Sequence, residues 1–224
     1  VSDTTNATVV TIDGPSGAGK GTLSQLLAQH LGYRLLDSGA LYRLVALASL
    51  NRAIAVADEL ALSACASTLD VEFAPSENGV CVLLEGRDVS SAIRQESVSM
   101  RASEVAAVEP VRAALLQRQR DFAVAPGLVA DGRDMGTKVF SDAQYKFYLT
   151  ASAEARAQRR YQQLLAQGEP VDLSVLIADI QARDERDQSR ASSPLRPASD
   201  AHVVDSTHMS VEQVLNYMLE TVGI

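Results

Sequence analysis

The sequence predicts an α/β protein, a parallel sheet flanked by helices. Three observations carry that expectation. Short apolar runs rich in β-branched residues, led by Val9-Val10-Thr11-Ile12-Asp13, alternate with segments whose leucines recur at helical spacing. A glycine-rich turn, Gly14-Pro15-Ser16-Gly17-Ala18-Gly19, joins the first such run to the first helical pattern. Asn78-Gly79 sits between two alternating runs, so a local antiparallel hairpin interrupts the parallel rhythm.

Taken in order, residues 1–8 are polar and read as a frayed start, and Val9 to Asp13 as a buried strand. Leu23, Leu26, Leu27 and Leu31 place an amphipathic helix from Lys20 to about Leu31, which Gly32 closes. Arg34 to Asp37 reads as a second strand, and Asp37-Ser38-Gly39-Ala40-Leu41-Tyr42-Arg43 opens a helix to about Asn51. Residues 58–68 are helical. Leu69 to Phe73 and Val80 to Leu84 alternate as strands around the turn Pro75-Ser76-Glu77-Asn78-Gly79, and 65–103 reads as an insertion. Helical patterns follow over Ser97 to Val108 and from Glu109-Pro110 through Phe122, the proline suiting a first turn. Leu128 to Asp131 is a core strand that ends in a carboxylate, and Lys146 to Leu149 is another. Ala153 to Gln167 is a helix stopped at Gly168. Asp172 caps a further helix that carries Arg183, Asp187 and Arg190 on one face. The Ser/Pro-rich segment 191–199 leads back to a last strand, Ala201 to Asp205, and Ser210 to Gln213 matches a capping box for the final helix.

The chain of 224 residues is 46% hydrophobic, enough for a real core. Its net charge of −8 argues against nucleic acid and anionic membrane as partners. No apolar run approaches the ~20 residues of a membrane span, and no signal peptide is present, so a soluble cytoplasmic protein is expected. Cys65 and Cys81 lack metal or redox spacing and read as small buried residues. His30, His202 and His208 form no ligand pattern, and no heptad demands a partner, so a monomer is expected.

Gly14 to Lys20 fits G-x-x-x-x-G-K, with a strand before it and a helix after it. Such a loop turns successive backbone N–H groups inward, and the helix start adds its positive dipole end, so a polyphosphate fits there. Lys20 would reach the β- and γ-phosphates. Position 21 is Gly rather than the hydroxyl residue that usually meets Mg²⁺, and Thr22 follows. Direct metal ligands are therefore not expected. Asp131, at a strand end, is either the carboxylate near a Mg²⁺ carried by the donor phosphates, acting through water as Thr22 would, or a helix or turn cap. Phosphoryl transfer needs positioning and positive charge. Arginines come from three places: Arg43, Arg133, and the helical pair with Arg156, Arg159, Arg160, Arg183, Arg186 and Arg190. On spacing alone, Arg156 and Arg186 read as a solvated, salt-bridged helix face, and the others divide between that reading and phosphate contact. The arginine-rich pair lies where a lid would exclude water.

Gly14-Pro15-Ser16-Gly17-Ala18-Gly19-Lys20-Gly21-Thr22, Asp37-Ser38-Gly39-Ala40-Leu41-Tyr42-Arg43 and Asp131-Gly132-Arg133-Asp134-Met135-Gly136-Thr137 together resemble bacterial cytidylate kinases. The likeness spans nearly the whole chain, and Gly21 is the usual state in that group. It implies a P-loop NTPase-like five-stranded parallel sheet with a monophosphate-binding insertion and a helical lid. It implies transfer of phosphate from ATP, with Mg²⁺, to CMP or dCMP. By motif, Gly14 to Thr22 would hold ATP, Ser16, Ser38, Arg43 and Arg133 would surround the acceptor phosphate, and Asp37 would be substrate-binding. Ser103, Arg112 and Asp134 would read the cytosine, and Arg183 and Asp187 would approach the ribose. Arg190 would meet the phosphates, and Arg156, Arg159 and Arg160 would belong to the lid. Lys20, Arg133, Arg183, Arg190 and Asp131 would be catalytic.

The expected organisation is one kinase domain. Residues 1–42, 104–150 and 193–224 form its core, 43–103 the monophosphate-binding region, and 151–192 the lid. Two other readings stand beside this one: a sister kinase with another acceptor, and a nucleotide-binding regulatory module without transfer activity.

Overall fold

The computed structural model describes residues 7–76, 79–166, 168 and 170–223. Glu77 and Asn78 of the expected hairpin turn, Gln167 at the expected helix end and the first six residues lie outside the described residues. The chain divides into two compact units, one of Val1–Asp37 with Arg120–Ile224, the other of Ser38–Gln119.

The first unit contains β1 (Thr8–Asp13), α1 (Lys20–Leu31) and β2 (Arg34–Asp37) before the second unit intervenes. The second unit begins with α2 (Ser38–Asn51) and α3 (Glu59–Ser67), the latter capped by the Asp58 side chain accepting from Ala61 N–H. It continues with β3 (Val71–Ser76), β4 (Gly79–Leu84), β5 (Arg87–Asp88), α4 (Glu96–Val105) and α5 (Glu109–Arg120). The first unit then resumes with β6 (Gly127–Gly132), β7 (Tyr145–Thr150), α6 (Ala153–Ala166), α7 (Leu173–Ser189), β8 (His202–Asp205) and α8 (Val211–Val222).

In the first unit five parallel strands run in the order β2-β6-β1-β7-β8. β1 is central and buried from Val9 to Asp13, which explains why it shows no polar-apolar alternation: a strand covered on both faces has no solvent side. Val10, Ile12, Leu23, Leu27, Val129, Phe147, Leu149, Val214 and Met218 form the core that joins the sheet to α1 and α8. The register brings Asp13 beside Gly132 and Tyr148, and Asp37 beside Asp131. Asp13 and Asp37 end their strands and Asp131 is next to last in β6, so three carboxylates lie at the carboxyl edge of three adjacent strands, where open α/β sheets bind ligands.

In the second unit α2 packs against α3 and α4, with Leu41, Leu44, Leu62, Val98 and Val105 buried. β3, β4 and β5 form a small antiparallel sheet, and the pairing runs on through Pro75 with Val80 and Ser76 with Gly79, so the strands take up residues the sequence reading assigned to the turn.

Several boundaries differ from the sequence reading. The first hairpin strand begins at Val71 rather than Leu69, and the two-residue β5 was not foreseen. α4 stops at Val105, because the chain turns through Ala106 to Val108 before Pro110, which has no N–H to continue a helix. α5 stops at Arg120, whose carbonyl accepts from Ala123 N–H in a turn, so Phe122 is outside the helix. Arg190 ends α7 with φ −56 and ψ 134, and so does not share the face of Arg183 and Asp187 as a helical residue. Ser210 and Gln213 do form the reciprocal capping box. Among the described residues no helix is long and apolar enough to cross a membrane, and both cysteines are free.

Candidate active site

The glycine loop connects β1 to α1 in the first unit. Three of its glycines have positive φ: Gly14 at 149, Gly17 at 76 and Gly19 at 95. Gly14 is the tightest, since a Cβ there would lie 2.0 Å from the Leu149 carbonyl oxygen. Gly19 caps α1 in the left-handed conformation, and no acidic residue occupies the first turn of that helix. The positive end of α1 is thus left to a ligand anion.

Lys20 is the first residue of α1 and is buried, its Nζ donating to the Pro15 carbonyl at 2.8 Å and lying 4.0 Å from Asp131 Oδ1. Burial first, and then the Arg133 charge, lower its pKa to about 7, and Asp131 opposes the shift. An anion placed in the loop would favour the charged ammonium.

The rim after β6 carries Arg133 and Asp134. Arg133 Nε donates to Asp187 Oδ2 on α7 at 3.2 Å, and its Nη1 to the Gly132 carbonyl at 3.2 Å. Asp134 is buried and precedes a π-helical turn, Met135–Val139, that the sequence did not announce. The Asp13 carboxylate accepts from Met135 N–H and Gly136 N–H, both at 2.8 Å. Burial raises the Asp13 pKa to about 7 against the pull of those two N–H groups. Sequence reasoning passed over Asp13 because it looked like the end of an apolar strand; its position directly before the loop was the available signal.

The helical pair α6 and α7 places its arginines unequally. Arg156 is buried, its Nη1 donating to the Ser16 carbonyl at 3.0 Å and its Nε to the Ala151 carbonyl at 2.9 Å. It also forms a two-pronged pair with Asp184 of α7. It is salt-bridged, as its spacing suggested, but not solvated, because its stem packs against Gly17, where an added Cβ would be 3.3 Å away. Arg159 donates to the Ser206 carbonyl at 2.6 Å. Arg160, Arg183 and Arg186 are half-buried, and buried Arg190 donates through Nε to the Asp187 carbonyl at 3.3 Å. Lys20, Asp131, Arg133, Asp187 and Arg190 therefore all belong to the first unit, as do Asp37 and the whole loop.

The second unit holds the other expected residues. Ser38 starts α2 and donates to Gln119 Oε1 at 2.7 Å, a partner the sequence did not suggest. Arg43 follows on α2, half-buried. Ser103 is buried on α4; Arg112 is buried on α5, donates to the Ala106 carbonyl at 3.0 Å and lies over the Tyr42 ring at 5.6 Å.

For a metal, the donors are few. Gly21 offers no hydroxyl, Thr22 is exposed, and among the described residues no group of three His, Cys, Asp or Glu side chains is placed to hold an ion. Asp131 Oδ1 lies 4.0 Å from Lys20 Nζ. That set suits a divalent cation that arrives on nucleotide phosphates and not one caged by protein.

A parallel sheet with a glycine loop, a buried lysine opening the next helix and arginines at the carboxyl edge defines a P-loop phosphotransferase. The family model described as cytidylate kinase matches residues 10–223, and the chain belongs to that family. It is 59% identical over 211 residues to a cytidylate kinase of Pseudomonas entomophila (strain L48), covering 93% of this chain and 92% of the relative. A cytidylate kinase of Shewanella frigidimarina (strain NCIMB 400) is 56% identical over 217 residues, with 96% and 95% covered. One from Pasteurella multocida (strain Pm70) is 55% identical over 210 residues, with 94% and 92% covered.

Proposed function

We propose that the chain transfers the γ-phosphate of ATP to CMP or dCMP, giving ADP and the cytidine diphosphate. The observation that carries this reading is the buried Lys20 at the head of α1, in a chain whose family match runs from β1 to α8.

Gly14 to Thr22 hold the donor phosphates, and Lys20 meets the β- and γ-phosphates. Ser16, Ser38, Arg43 and Arg133 bind the acceptor phosphate, and Asp37 belongs to the same substrate site. Arg133, Arg183 and Arg190 neutralise charge on the migrating group, which passes in line from one oxygen to the other. Asp134 accepts from the exocyclic amine of cytosine, while Ser103 and Arg112 meet its O2 and N3. Uracil presents an oxygen where cytosine presents the amine, so it is disfavoured opposite a carboxylate. Arg183 and Asp187 approach the ribose. Asp131 and Thr22 would hold, through water, a Mg²⁺ that arrives with ATP, and the ion would supply screening of the phosphate charge. Residues 151–192 serve as the lid over a core of 1–42, 104–150 and 193–224, with 43–103 as the monophosphate-binding region. The protein works as a cytoplasmic monomer, with neither nucleic acid nor membrane as partner.

The test is an assay of ADP release across CMP, dCMP, UMP and AMP with ATP and Mg²⁺. Fast turnover of CMP and dCMP is expected. Poor use of CMP beside fast use of AMP would assign the chain to a sister activity, and an inert protein would favour a regulatory module.

A further inference from the structure

Asp13 ends the central strand and takes no part in the phosphate chemistry above, yet both its oxygens are committed. Oδ1 accepts from Met135 N–H and Oδ2 from Gly136 N–H, each at 2.8 Å. These two donors open the π-helical turn that starts immediately after Asp134. A helical start leaves such N–H groups without intrahelical partners, and a carboxylate is the strongest acceptor available to them.

The same residue grips the other end of the rim. Its backbone pairs in register with Gly132. Asp13 therefore brackets Arg133 and Asp134, through the ladder on one side and its carboxylate on the other. Gly136 completes the clamp: a Cβ there would lie 2.9 Å from Thr11 Oγ1, 3.2 Å from Lys146 Cδ and 3.4 Å from Asp13 Oδ2. Only glycine lets the turn approach β1 so closely. Asp134 is held between these anchors, 2% exposed, its carbonyl accepting from Lys138 and Val139 N–H.

We propose that Asp13 is the positioning residue for base selectivity: by clamping the Met135 and Gly136 N–H groups to β1, it aims the Asp134 carboxylate at the exocyclic amine of the pyrimidine. This inference rests on the base-reading role proposed for Asp134. Asparagine at position 13 keeps the volume and one acceptor oxygen but turns an NH₂ toward the second N–H, so one of the two anchors is lost.

The test measures kcat/KM for CMP and for UMP, KM for ATP, and Tm, in wild type, Asp13→Asn, Gly136→Ala, Asp134→Ala and the double variant Asp13→Asn/Asp134→Ala. Asp13→Asn should lower the CMP-to-UMP ratio about tenfold, the scale of one lost bond to a charged group, with KM for ATP nearly unchanged. Gly136→Ala, which pushes the turn off β1 by another route, should lower it too. The double variant should discriminate no worse than Asp134→Ala alone. A merely structural role predicts a lower Tm and equal losses on both nucleotides. If the ratio is preserved in Asp13→Asn and Gly136→Ala but lost in Asp134→Ala, the positioning role is overturned and base reading by Asp134 stands. If Asp134→Ala itself preserves the ratio, both are overturned.

Discussion

Arg133 Nε donates to Asp187 Oδ2 at 3.2 Å, tying the rim after β6 to α7. The pair is unequal: the Asp187 side chain is 6% exposed and that of Arg133 21%. The carboxylate takes Nε and the Gly132 carbonyl takes Nη1, so the two together can fix the orientation of the guanidinium toward a phosphate. Asp187→Ala should therefore lower kcat/KM for CMP about tenfold to hundredfold, the value of a charge-assisted bond, and change KM for ATP little. Asp187→Asn, which retains an acceptor, should fall between. Steady-state kinetics with each nucleotide varied in turn decides this; equal increases in both KM values would mean that the tie does not serve the acceptor in particular.

Arg156 predicts an asymmetry in stability. Its side chain is 4% exposed, and its charge is balanced by Asp184. Removing the acid strands a buried cation, which costs more than removing the pair together. Asp184→Ala should destabilise by about 3 kcal/mol, and the double variant Arg156→Met/Asp184→Ala should regain part of that. Because Arg156 also holds the Ser16 carbonyl, Asp184→Ala should raise KM for ATP. Denaturant titration gives the energies. A double variant less stable than Asp184→Ala would refute the stranded-charge explanation.

Asp13 has a pH signature of its own. Its folded pKa is raised from 3.8 to about 7, by burial first, with Asp134 adding to the rise and Lys20 opposing it. Between those values the folded chain holds a proton that the unfolded chain has released. Stability from this group is full below pH 4 and is lost as pH climbs to about 7, with a slope of up to about 1.4 kcal/mol per pH unit. Asp13→Asn cannot titrate and should lack that slope. The difference between wild type and Asp13→Asn, followed by chemical denaturation between pH 4.5 and 6.5, should shift against the wild type as pH rises; parallel curves would show that Asp13 stays ionised throughout.

The parts legible in the sequence were those written locally. Gly32, Gly168 and Ser210 mark helix ends through conformations or caps that a few neighbouring residues decide. The loop from Gly14 to Lys20 declares itself because the conformation requires glycine at fixed places. What stayed hidden depends on residues far apart in the chain. Asp13 reaches Met135 and Gly136, Arg133 reaches Asp187, and Arg156 reaches Ser16. No periodicity encodes those pairings; they follow from strand order and from where α6 and α7 return to the sheet. The same limit explains Arg190. Heptad-like spacing put it on the face of Asp187, whereas the helix ends one residue earlier at Ser189. The π-helical turn at Met135 was equally invisible, since its start is held by a carboxylate from another strand.

Two glycines of one loop should behave in opposite ways. Gly14 has φ +149, and a Cβ there would meet the Leu149 carbonyl oxygen at 2.0 Å and its carbon at 3.0 Å. Both atoms are backbone of β7, a strand hydrogen-bonded on either side, so neither can retreat without disturbing the sheet. Gly14→Ala combines overpacking with backbone strain and should cost at least about 3 kcal/mol. Gly21 lies inside α1, and a Cβ there would have only Asp131 Oδ2 near it, at 3.7 Å, an ordinary contact. Alanine also loses less conformational entropy in a helix than glycine, so Gly21→Ala should be neutral or stabilising by up to about 1 kcal/mol. Thermal and urea unfolding of the two variants side by side checks both values. The position that departs from the usual phosphate-loop pattern is then the one the fold can spare. A large loss of stability in Gly21→Ala would instead place its cause within the helix.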